Sequence, residues 1–242
     1  MTKNQDACLT LPSGFCFDYA NLYGEGKVTV DDIAALAERI EAAHAAVEHL
    51  RRTGEARGHL SKDGLPEKVL FPQLPYIKEG NLNSPASITR LKAFGQSLRY
   101  KVDAVVSFGI GGSYLGNKVL FDVHCGEFWN YKPVEARSGY PKLYFSGNNI
   151  DPRRTRELIE HLVAEAKAKA AGSSAPYKVT LIVISKSGST IDTMATFMVV
   201  YEALKQAPII DVDVVAVTDP AKGESETLLG RLARQQGWAM FS

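Results

Sequence analysis

The chain has 242 residues, enough for one large domain or one domain with a sizeable extension, and its apolar share is ordinary for a globular protein. Its 28 Lys and Arg nearly cancel 27 Asp and Glu, so charge supports neither a nucleic-acid nor a membrane partner. No apolar run approaches the ~20 residues that span a bilayer, and Met1-Thr-Lys-Asn-Gln-Asp6 has no signal-peptide core.

Residues 1–98 read as a helical, loop-rich N-terminal arm. Thr29-Val-Asp-Asp32 forms a capping box, followed by Ile33, Leu36, Ala37, Ile40, Val47 and Leu50 at helical spacing. That helix is predicted to run to about Arg52 and stop near Gly54. Gly64-Leu-Pro66 and Phe71-Pro-Gln-Leu-Pro75 then exclude a long regular element, and a second amphipathic helix is predicted from about Ser87 to Arg99. Cys8, Cys16 and Cys125 make neither a CxxC pair nor an even framework, and read as reduced thiols of a cytosolic protein. The histidines (His44, His49, His59, His124 and His161) lack metal-ligand spacing and read as structural or surface residues. Arg51-Arg52 and Arg153-Arg154-Thr-Arg156 read as solvated helix faces.

Residues 99–242 change rhythm to strand, helix, strand, helix. Apolar runs recur at 103–110, 142–146, 178–185 and 212–218, with helical patterns at about 114–124, 153–171, 190–206 and 225–236. Gly237 then stops the last helix, and Trp238-Ala-Met-Phe-Ser242 begins a fifth strand. The runs lack polar alternation, as when both faces of a sheet are covered. The expected fold is α/β: a doubly wound, parallel five-stranded sheet in the flavodoxin-like order 2-1-3-4-5. Domains rarely end on the start of an apolar strand, so the chain is expected to be the front part of a longer polypeptide.

Two loops stand out. Gly109-Ile-Gly-Gly-Ser113 follows the first strand of this set and Ser185-Lys-Ser-Gly-Ser-Thr190 the third, each opening a helix. Such turns aim free N–H groups and a helix dipole at an anion. The first fails both familiar fingerprints: Tyr114 stands where a dinucleotide loop needs glycine, and Asn117 separates Gly116 from Lys118, which breaks a Walker A loop. A nucleotide-binding oxidoreductase or NTPase is therefore disfavoured. A tight turn with Ser113 as a plain helix cap explains most of that loop. The second loop carries four hydroxyls, an ammonium and a glycine in six residues, whereas capping by Ser189 or Thr190 needs only one hydroxyl. In the expected strand order the two loops meet at the switch point and form a cradle for a phosphate. Ser146-Gly-Asn-Asn-Ile-Asp151 and Thr218-Asp-Pro-Ala-Lys-Gly223 lie on the same edge but read as ordinary turns. Asp192 is a weak candidate acid or base, since a first-turn Asp is common for dipole reasons alone.

Phe108-Gly-Ile-Gly-Gly-Ser-Tyr-Leu-Gly116, Ser185-Lys-Ser-Gly-Ser-Thr190 and Val215-Ala-Val-Thr-Asp-Pro-Ala-Lys-Gly223 together resemble the glucose-6-phosphate isomerase family, and Asn149-Ile-Asp151 fits the same pattern. The resemblance implies a sugar-isomerase (SIS-type) α/β/α sandwich, with residues 99–242 as the first such domain. It implies that Gly112, Ser113, Ser185, Lys186, Ser187, Gly188, Ser189 and Thr190 hold the 6-phosphate of a sugar. It further implies interconversion of glucose 6-phosphate and fructose 6-phosphate through a cis-enediolate, with no metal or organic cofactor, in a cytoplasmic homodimer. The family usually has Thr-Thr-x-Glu where this chain has Ser189-Thr-Ile-Asp192. Its Gly-Gly-Arg motif, catalytic glutamate, ring-opening histidine and late lysine all follow the segment that matches this chain's end, so the resemblance carries over phosphate contacts and no catalytic group. A stand-alone sugar-phosphate-binding regulatory domain is the alternative.

Overall fold

The computed structural model describes residues 8–23, 26–60, 64 and 66–242. The chain divides into two compact units, Met1–Arg90 and Leu91–Ser242.

In the first unit, β1 (Cys8–Thr10) and β2 (Cys16–Asp18) form an antiparallel hairpin whose turn needs Gly14 in the left-handed region, φ 84°. Cys8 and Cys16 are joined as a disulfide, which corrects the expectation of three reduced thiols; Cys125 is free. The hairpin brings the two Cα atoms to 6.6 Å, a proximity that a separation of eight residues does not announce.

The predicted capped helix is present, in two pieces. Thr29 caps α1 (Val30–Ala35), its hydroxyl oxygen accepting from the Asp32 N–H at 3.2 Å. The Asp32 carboxylate accepts from the Thr29 hydroxyl at 2.6 Å and the Thr29 N–H at 2.8 Å, which holds it below the usual aspartate range. Leu36 interrupts the helix, and α2 (Ala37–Thr53) ends on Gly54 at φ 76°, whose N–H reaches the Leu50 carbonyl at 2.7 Å. β3 (Glu55–Leu60) and β4 (Pro66–Lys68) then form a second hairpin. The arm thus contains two strand pairs beside its helices; strands this short give no readable periodicity.

The helix α3 (Pro85–Ser97) crosses the division between the units. Beyond it lie β5 (Ala104–Phe108), α4 (Gly112–Cys125), β6 (Lys142–Ser146), α5 (Pro152–Ala170), β7 (Tyr177–Ile184), α6 (Ile191–Lys205), β8 (Ile210–Val217), α7 (Leu228–Gln236) and β9 (Ala239–Phe241). All five strands are parallel in the order β6-β5-β7-β8-β9, the 2-1-3-4-5 arrangement read from the sequence. The crossover through α4 steps one way and the crossover through α5 steps back over β5. Right-handed connections therefore put α4 on one face and α5 to α7 on the other. The main core fills the second face: Val106 and Phe108 of β5, Leu181 and Val183 of β7 and Val214 of β8 pack with Leu162, Phe197, Val200, Leu204 and Leu229. On the α4 face, Phe145 packs edge-on against Tyr114 and Phe121, while Leu115, Val119, Leu120 and Val123 of the helix stay exposed. β6 is a sheet edge, and the side-chain amide of Asn130 closes it, accepting from the Leu143 N–H and donating to the Leu143 carbonyl, both at 2.8 Å.

Candidate functional site

Parallel pairing sets Phe108 opposite Val183, so the loops after β5 and β7 leave the same edge of the sheet on strands about 4.8 Å apart. β5 is also where the order reverses, with β6 on one side and β7 on the other. The two glycine- and serine-rich loops thus flank the topological switch point.

In the first loop Gly111 occupies the N-cap of α4 at φ 55°, with no side-chain cap. Ser113 lies inside the first turn, its N–H donating to the Ile110 carbonyl at 3.1 Å, so the expectation of Ser113 as the cap is corrected. The reason is the sharp reversal after β5. A Cβ on Gly109 would stand 2.5 Å from the Ser113 carbonyl oxygen, so helix and strand close on each other where only glycine fits. Gly112 is exposed and Ser113 half-buried.

The second loop divides into braces and open donors. Ser185 is 2% exposed, and its hydroxyl accepts from the Gly188 N–H at 3.1 Å and pairs with the Thr190 hydroxyl at 2.9 Å. Thr190 occupies the N-cap of α6 without a side-chain cap, because its hydroxyl is turned to Ser185. Gly188 has φ 67° and a Cβ there would lie 2.7 Å from the Thr227 Cβ, so the loop is pressed against the start of α7. Thr218 secures the other side: its hydroxyl donates to the Lys186 carbonyl at 3.3 Å and pairs with the Thr227 hydroxyl at 3.0 Å. Lys186, Ser187 and Ser189 are exposed. Among the described residues, the N–H groups of Gly111, Gly112, Ser187 and Thr190 donate to no protein acceptor. Four such donors around two helix N-termini make an anion-receptive edge.

Asp192 stands in the first turn of α6, half-buried. The neighbouring turns behave as ordinary turns: Asp151 caps α5 by accepting from the Arg153 and Arg154 N–H groups at 2.9 and 3.2 Å, and Asp219 accepts from the Ala221 N–H at 2.9 Å. His161 pairs with the Tyr144 hydroxyl at 2.8 Å, away from the loops. Among the described residues no group of three or more His, Cys, Asp and Glu could hold a metal ion, and no helix is long and apolar enough to cross a membrane. Sequence reasoning missed Thr193 and Thr227, and read Thr218 only as the start of an ordinary turn, although all three fix the loops; isolated threonines at strand ends and helix starts carry no signal beyond capping.

Fold and edge together define a doubly wound α/β domain with two helix N-termini flanking its switch point. The chain is similar to proteins named glucose-6-phosphate isomerase. It is 27% identical to the enzyme of that name from Alkaliphilus metalliredigens over 232 residues, 95% of this chain and 44% of that protein. It is 32% identical to the one from Acetivibrio thermocellus over 155 residues, 63% and 31% of the two chains, and 27% identical to that of Shouchella clausii over 93% and 43%. The chain spans less than half the length of these curated relatives. No protein-family model matches it.

Proposed function

We propose that residues 99–242 are an SIS-type domain that binds the phosphate of a sugar phosphate, and that residues 1–98 form its N-terminal arm. The observation that carries this reading is the set of open N–H donors on two helix N-termini flanking the switch point. Gly112 and Ser113 would bind from one side; Lys186, Ser187, Ser189 and the Thr190 N–H would bind from the other. Ser185 and Gly188 shape the loop from within, and Lys186 brings a positive charge to the oxyanion.

The relatives are named glucose-6-phosphate isomerase, which supports reading the chain as part of an aldose–ketose isomerase acting on glucose 6-phosphate. Interconversion with fructose 6-phosphate in glycolysis and gluconeogenesis, in a cytoplasmic homodimer with no cofactor, belongs to the same proposal and rests on the motif resemblance alone. No residue of this chain is assigned the catalytic base; Asp192 is the weak candidate. The alternative is a regulatory domain that binds sugar phosphate without chemistry. The test pairs a binding titration with a coupled assay from fructose 6-phosphate. Binding without turnover supports a phosphate-binding part whose catalytic groups lie elsewhere. Turnover would place a base within these residues and make Asp192→Asn the next variant. Absence of binding to folded chain would remove the proposal.

A further inference from the structure

At the opposite, amino edge of the same sheet, a cavity of about 280 Å³ opens between the starts of β5, β6 and β7. Lys101, Arg137, Lys142 and Lys169 meet Asp103 and Glu165 in its lining. Two of these cations are matched. Lys142 pairs with Glu165, and Lys169 with Asp103 at 2.7 Å. Asp103 is fully used, since its carboxylate also accepts from the Lys178 N–H at 2.7 Å. Two cations, Lys101 and Arg137, are left over.

Arg137 is the telling one. It is 6% exposed, and its guanidinium donates through Nε to the Tyr140 carbonyl at 3.0 Å and through Nη1 to the Lys132 carbonyl. Among the described residues no carboxylate lies within 4.0 Å of it, and its Nη2 donors have no acceptor. A buried cation neutralised only by carbonyl dipoles is costly, and an anion beside it would offset that cost. Tyr177 adds no competing negative charge, because burial, reinforced by Glu165, pushes its hydroxyl well above the usual tyrosine range. The rim is preformed: Tyr100 stands at φ 55°, and its ring fills the place a Cβ on Gly139 would take, at 2.3 Å.

We propose that this cavity binds a small tetrahedral dianion between Arg137 and Lys101, as inorganic phosphate or as the phosphoryl end of a small phosphomonoester. Two unmatched positive charges call for a dianion, and the volume lies below the ~300–1,000 Å³ of pockets for larger ligands. The guanidinium fork suits planar pairs of oxyanion oxygens, with Lys101 as a point charge at the mouth. The site is separate from the loops at the carboxyl edge and does not rest on them.

The experiment is an NMR titration of the whole chain with inorganic phosphate, following backbone amides, and a parallel one with glycerol phosphate. Amides of Tyr100–Asp103 and Ser138–Tyr140 should shift and saturate in the millimolar range, about -4 kcal/mol. Lys101→Glu, a change at an exposed side chain, should weaken that response about tenfold, and Arg137→Lys should weaken it by loss of the fork; Lys186→Ala should leave it unchanged. If Arg137→Lys does not fold, Lys101→Glu decides. Saturation by either compound supports the site, and the tighter one identifies the source. A response confined to the amides of Ser185–Thr190 overturns this proposal and leaves the carboxyl-edge reading standing. A response indifferent to Lys101→Glu overturns it as well.

Discussion

The hydroxyl of Thr193, in the first turn of α6, donates to the carbonyl of Gly147 at 3.1 Å, across 46 residues of chain and with both groups buried. Gly147 follows β6 and α6 follows β7, so this bond spans the strand between them and ties the two sides of the switch point together. Gly147 can come this close because it has no side chain: a Cβ there would meet the Thr193 Cα and the Phe108 Cβ, each at 3.3 Å, at a backbone φ of 76°. Thr193→Val keeps the volume and removes the donor, leaving a buried carbonyl unpaired. The expected loss is about 1–3 kcal/mol of unfolding free energy, read by urea denaturation.

Gly188→Ala tests the seat of the second loop. The left-handed backbone and the 2.7 Å approach to Thr227 act together, and an alanine must either move α7 or distort the loop. A loss of about 2–4 kcal/mol is expected, together with weaker phosphate binding; an unchanged melting curve would show that the loop is not pressed against α7.

Lys186→Ala and Ser187→Ala address binding and not folding, because both side chains are exposed. Thermal unfolding should hardly change. Affinity for fructose 6-phosphate, followed by calorimetry or NMR, should fall by about tenfold or more for Lys186→Ala, the loss of one charge-assisted contact. Ser187→Ala should cost less, since the Ser187 N–H remains.

Asn130→Ala opens the β6 edge. Both hydrogen bonds to Leu143 disappear, with an expected loss of about 1–2 kcal/mol. The bared strand edge should also promote concentration-dependent association, measured by light scattering.

Alkaline pH provides a further check. Tyr144 and Tyr177 are both held well above the ordinary tyrosine range, first by burial and then by the charge of Glu165. The unfolded chain releases these protons near pH 10 while the folded chain retains them, so stability is fully present below that pH and falls as pH rises beyond it. Tyr177→Phe should flatten this fall. Equal alkaline slopes for the two proteins would contradict the assignment.

The strand order and helices of the second unit were legible in the residues alone. Continuous apolar runs report buried parallel strands, and Gly237 here, like Thr29 and Gly54 in the first unit, marks a helix end through hydrogen bonding and backbone freedom local to a few residues. Strand order followed from handedness and connection length, which are also chain-local rules. Tertiary structure alone decided the rest. The hairpins of the first unit and the Cys8–Cys16 pair depend on register between short segments without periodicity. The division of the second loop into braces and open donors depends on which hydroxyl meets Thr218, Thr227 or Thr190 in space. The solitary charge on Arg137 depends on which carboxylates the fold assigns to its neighbours. Residue types fix what each side chain can donate or accept; only the packed chain fixes which partner it has left to find.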